Sequence, residues 1–115
     1  MNRLLALAVA ATCCGAFAAA PHVGKQSVDV NLEPKKMHEE CLRMEKGEKR
    51  LYSWKATSAV DFNIHYHEGP EVFYPVKRDG MRGDGGTFVA RSGEEYCWMW
   101  TARAAATKVE GLIDK

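Results

Sequence analysis

The sequence predicts an all-β chain, an antiparallel β-sandwich of seven to eight short strands, and three observations predict it. Across "VDFNIHYH", apolar Val60, Phe62, Ile64 and Tyr66 alternate with polar Asp61, Asn63, His65 and His67. A period of two over that length separates two faces of a strand, and no helix keeps those sets apart. Turn signals built on glycine or proline recur every eight to twelve residues or so, the spacing of sandwich and barrel strands. Outside one ambiguous stretch, no segment shows the 3.6-residue apolar period of an amphipathic helix.

Residues 1–20 stand apart from that pattern. Arg3 precedes an apolar run from Leu4 to Ala11, and Ala16-Phe17-Ala18 supplies a small-residue cleavage site. This is the layout of a secretory signal peptide, and the run is shorter than the roughly 20 residues a bilayer span needs. Lipid attachment at Cys13 or Cys14 is a second processing route, for which Thr12 and Cys13 are poor preceding residues. Cleavage after Ala18 or Ala20 leaves about 95 of the 115 residues, one small domain. The expected division is a signal peptide at 1–20, a leader and first strand at 21–39, and a β-sandwich domain at 40–115. No membrane span is expected after signal cleavage, so the product is exported, to a periplasm or as a secreted protein.

The remaining elements follow in chain order. "SVDVNL" alternates Val28, Val30 and Leu32 with polar partners, and Pro34 stops it, because proline donates nothing to a ladder. "KKMHEECLRMEKG" reads either way: Met37, Cys41 and Met44 sit at helical spacing, whereas "ECLRM" alternates like a strand. Gly47 closes it. "KRLYSWKA" puts Tyr52 and Trp54 on one face, and the alternating segment above comes next, ending at Gly69-Pro70. "EVFYPVK" resumes a strand in which Pro75 marks an edge or a bulge. "RDGMRGDGG" reads as a glycine-rich loop, "TFVA" as a short strand, "RSGEE" as a turn, and "YCWMWTAR" and "TKVEGLI" as the last strands. Tyr52, Trp54, Phe62, Tyr66, Tyr96, Trp98 and Trp100 supply the bulk that fills the space between two sheets.

Charge and cysteine content narrow the function. The chain carries 16 basic and 15 acidic residues, and loss of Arg3 with the signal peptide balances them. A balanced chain lacks the clustered basic excess that nucleic-acid binding requires. Cys41 and Cys97 remain after cleavage, an even pair in an oxidising compartment, for which a disulfide is the default. Such a bond stabilises by about 4 kcal/mol in the chain-entropy account. A metal site or a free thiol are the other uses of the pair.

An aromatic strand, then "VDFNIHYHEG", a glycine-rich gap and "GEEYCWMW" together resemble the GOLD (Golgi dynamics) domain, with Trp54, Asp61, Phe62, Ile64, Gly93 and Tyr96 at its pattern positions. The match spans roughly residues 40 to 112. The resemblance implies a GOLD-like or jelly-roll-like β-sandwich, a pair at Cys41 and Cys97 like that of the cargo-adaptor proteins of that family, a role in binding a protein or ligand, and no catalytic residues.

Catalytic patterns are thin. Ser53, Ser58 and Ser92 lack a nucleophile elbow. Glu94 and Glu95 are adjacent and point to opposite sides of a strand, and "GMRGDGG" lacks the ending of a phosphate loop. Arg82-Gly83-Asp84 matches an integrin-type tripeptide that any Gly/Asp-rich turn produces by chance. His65 and His67 lie two apart, with Cβ atoms about 7 Å apart on one face, a spacing that suits two ligands of one copper or zinc ion. Met99, on the same face as Cys97, adds a soft ligand. The simpler expectation is two solvent-facing histidines and no cofactor. The sequence thus predicts a non-enzymatic binding module for an unknown protein or ligand, with a contact surface of Asp61, Asn63, His65, His67, Arg82 and Asp84. The alternative is a copper or zinc protein using His65, His67 and Met99.

Overall fold

The computed structural model describes residues 24–115, so the expected signal peptide lies outside the described residues. The described residues form six strands: β1 (Lys25–Leu32), β2 (Met37–Met44), β3 (Lys49–Glu68), β4 (Glu71–Val89), β5 (Glu94–Ala102) and β6 (Thr107–Asp114). Every pairing is antiparallel. The expected all-β antiparallel class holds, as one six-stranded sheet curled into a half-barrel.

The curl originates in β3. Its residues 51–56 pair with β6 and its residues 60–65 pair with β5, along one edge. β4 follows the other edge across both halves. Between those halves the register jumps from Lys55↔Gly83 to Val60↔Met81, so β3 spends more residues than β4 on the same stretch. Surplus residues on one strand bend it and increase its twist. The arm β1-β6-β3 therefore faces the arm β2-β5-β3. Aromatic rings bridge them: Trp54 lies 5.2 Å from Phe62 and 6.4 Å from Trp100, and Tyr52 lies 6.2 Å from Trp98, centroid to centroid. Val28, Leu32, Val109 and Ile113 close the core from the first arm, and Ile64, Tyr96 and Trp98 from the second.

Six strands stand where seven or eight were expected, because predicted pieces fuse. "KRLYSWKA" and "VDFNIHYH" are both β3. "EVFYPVK", the supposed loop "RDGMRGDGG" and "TFVA" are all β4. The glycines there serve close approach more than turning: a Cβ on Gly85 would sit 2.9 Å from the Tyr52 carbonyl oxygen. Gly80, at φ +66°, does need its freedom, since β4 kinks there. Its N–H donates to Asp61 Oδ1 at 2.9 Å, and the Arg103 Nε donates to the same oxygen at 2.9 Å.

Local ambiguity resolves through pairing. "MHEECLRM" is strand β2, because β5 offers it a ladder over its whole length. β1 pairs with β6 along its full length, and the expected boundary at 39/40 falls inside β2. The first strand is thus part of one folded unit with the rest. Pro75 satisfies both expectations made for it. Among the described residues β4 pairs only with β3, and the register moves from Ile64↔Val76 to Tyr66↔Phe73, a bulge at Tyr74 and Pro75. The Cys41–Cys97 disulfide is formed and joins directly opposed residues of β2 and β5.

Candidate functional site

Two features on opposite faces of the second arm carry polar or exposed chemistry. The first is the outer face of β3. Phe62 and Ile64 are fully buried on the inner face, as the alternation requires. Asn63 and His65, on the other face, are also buried, at 8% and 4% exposure, against the expectation that His65 faces solvent. The reason is position: β3 is flanked by β5 and β4, and Glu39 and Tyr74 reach over it from both sides.

His65 is held from two directions. Its Nδ1 lies 2.7 Å from Asn63 Oδ1 and its Nε2 lies 3.1 Å from Glu39 Oε1. The His67 ring stands edge-on at 5.2 Å and the Tyr74 ring at 5.8 Å. Burial holds the imidazole below its ordinary pKa; the Glu39 carboxylate pulls it back up, and His67 pushes it further down. Cys97 sits beside it in register, with Cys41 next in the row. Met99 lies one step along that face, opposite Asn63 and Glu39.

The predicted contact surface does not assemble as one surface. Asp61, Asn63, His65 and His67 share the outer face of the second arm, where two of the four are buried. Asp84 pairs with Trp54 and so lies on the core side of the first arm. There it raises the hydroxyl pKa of Tyr52, after the larger effect of burial. Arg82 is exposed on the same stretch of β4. The sharp bend of β3 and β4 between these groups separates them. Of the expected ligands, His65 belongs to a cluster of close donor atoms among the described residues, with Glu39 and Cys97, and His67 to none.

The second feature was missed in the sequence. Val72, Phe73 and Tyr74 are exposed in succession on β4, at 38%, 37% and 48%. Phe73 and Tyr74 border an open groove of about 580 Å³ on the concave side, floored by Tyr66, Phe88 and Tyr96. Phe73 stacks on Tyr66 at 5.2 Å and 16°, and Phe88 meets Tyr96 at 4.9 Å. Tyr96 donates to the Ser92 carbonyl at 2.8 Å, which fixes the turn that brings Arg91 to the rim. Three adjacent apolar residues in an edge strand were the signal available. Among the described residues, no helix is long and apolar enough to cross a membrane.

Comparison with known proteins fixes the fold and no family. No family model matches the chain, and no curated protein matches it. Among solved structures it is similar to PliG of Aeromonas hydrophila, a periplasmic inhibitor of g-type lysozyme, at 10% identity and TM-score 0.59, covering 84% of this chain and 90% of that one. It is also similar to the Yersinia pseudotuberculosis-derived mitogen, at 14% identity and TM-score 0.50, covering 77% and 82%. Both are small all-β proteins, which supports the sandwich-like fold at that level and does not extend to the GOLD domain itself.

Proposed function

We propose that this chain is an exported, non-enzymatic binding module that engages another protein through the exposed Val72-Phe73-Tyr74 segment and the groove beside it. The carrying observation is that Phe73 and Tyr74 stand in solvent beside a groove with an aromatic floor and Arg91 at its rim, with Val72 exposed next to them. Aromatic residues and arginine dominate protein-binding hot spots, and a contiguous exposed apolar patch is otherwise a liability in a soluble domain. Pro75 and the bulge keep this edge from pairing with stray strands, so contact through side chains is favoured over strand addition.

Support for export comes from the disulfide, which belongs to oxidising compartments. The periplasmic inhibitor with a similar fold supports a protein partner and an extracytoplasmic site. The GOLD-like strand pattern supports the same general role. A lysozyme is the first partner to offer, given that neighbour. In calorimetry against a purified g-type lysozyme, wild type binds, and Phe73→Ser with Tyr74→Ser weakens binding by about 2 kcal/mol or more, the loss typical of hot-spot residues. Because Phe73 stacks on Tyr66 and Tyr74 packs against His65, circular dichroism and a urea midpoint accompany the double variant, and binding is compared where both proteins are folded. Absence of binding would remove lysozyme as partner, and a bound partner indifferent to both substitutions would remove this surface.

A further inference from the structure

The geometry points to a second use of the disulfide row: when Cys41–Cys97 is reduced, Cys41, Cys97, His65 and Glu39 form a site for one thiophilic divalent cation of the zinc type. The donor atoms of Glu39, His65 and Cys97 all lie within 4.8 Å of one another, and Cys41 is bonded to Cys97. Ligand atoms around tetrahedral zinc stand about 3.3 to 3.8 Å apart, from bond lengths of about 2.0 to 2.3 Å. The 3.1 Å between His65 Nε2 and Glu39 Oε1 is close to that spacing already. The Cys97 sulfur is already in that cluster, and Cys41, which clusters with Cys97 and Glu95, is brought in by rotation of its side chain, since Cys41, Cys97 and His65 occupy one row across β2, β5 and β3.

The outer shell is in place as well. Asn63 Oδ1 accepts from His65 Nδ1 at 2.7 Å, which fixes the tautomer that presents a bare Nε2. That lone pair then faces the Glu39 carboxylate, two acceptors that need a proton or a cation between them. Cys97 and His65 are buried and Cys41 is exposed, so the ion is shielded on one side and reached from the other.

The chemistry balances. A dithiol reductant delivers two electrons and two protons to the disulfide and becomes a disulfide itself, giving two thiols. The cation then takes both sulfurs as thiolates and releases the two protons. Glu39 adds one negative charge and His65 none, so the filled site carries a net charge of minus one.

The test uses the full mature protein, oxidised or reduced, titrated with zinc and with cobalt as a spectroscopic probe. Reduced protein binds one equivalent of either metal and cobalt shows thiolate charge-transfer absorption; oxidised protein binds none at that site. Cys41→Ser and Cys97→Ser abolish the absorption. His65→Ala and Asn63→Ala each weaken zinc by at least the roughly tenfold that loss of an outer-shell partner causes. Circular dichroism shows whether reduced protein is folded before and after metal. A folded reduced protein that binds zinc no better than the double serine variant overturns the site, as does a reduced protein that unfolds and that zinc does not restore. Metal affinity unchanged in His65→Ala overturns the ligand set. None of these readouts involves the groove, so failure here leaves the protein-binding reading standing.

Discussion

The two faces of β3 over residues 60–66 are buried by different means. Inside, Val60, Phe62 and Ile64 are fully buried, with Phe62 packed between Trp54 of the opposite arm and Trp100 of its own, and packing alone holds them. Outside, Asn63 and His65 are covered by neighbouring side chains, hydrogen-bond to each other, and have the Glu39 carboxylate beside the imidazole. The inner face loses stability in proportion to volume removed, whereas the outer face loses it when a partner is left unpaired. A strand centred in its sheet thus imposes burial on both sides, and chemistry decides how each side tolerates it.

Removal of bulk from the inner face is the harshest way to break that contrast. Phe62→Ala costs about 3 to 5 kcal/mol, read as a lower urea midpoint. Next comes the staple beside the outer face: replacing Cys41 and Cys97 together by serine costs about 2 to 4 kcal/mol, read by thermal unfolding. On the outer face itself, His65→Ala leaves Glu39 and Asn63 facing each other without their bridge and costs about 1 to 3 kcal/mol. A stability loss for His65→Ala as large as that for Phe62→Ala would collapse the distinction between the faces.

Acidity sharpens the contrast with a smaller effect. The native His65 titrates below its ordinary 6.5, so between the native value and that pH the unfolded chain holds more protons. The stability contributed is complete above about 6.5 and is lost as pH falls through the native pKa. Unfolding free energy measured across this window falls with acid in wild type, and His65→Gln flattens the slope. An identical slope in both proteins would assign the effect elsewhere.

Much of this was legible in the chain itself. Alternation assigned Phe62, Ile64, Trp98 and Trp100 to the core side and Met99 to the other, because period two is a local property of extended backbone. Pairing of Cys41 with Cys97 followed from compartment and count. Burial of His65 was not legible, because it depends on which strands flank β3 and on Glu39 and Tyr74 arriving from two of them. The bend at residues 55–60 carries no glycine or proline to mark it, and the glycines of β4 looked like a loop until their partners on β3 were known. Phe73 and Tyr74 looked like another core strand, since they stand in solvent only because β4 has no second neighbour among the described residues.

One segment, β3, belongs to both arms at once, and that shared membership governs how the molecule comes apart. Neither half owns a complete interior: Trp54 seals Trp100 as much as the reverse. Heating should therefore yield a single transition, with calorimetric and van't Hoff enthalpies in agreement. A proteolytic nick in the bent region would have to await the same event that melts the whole.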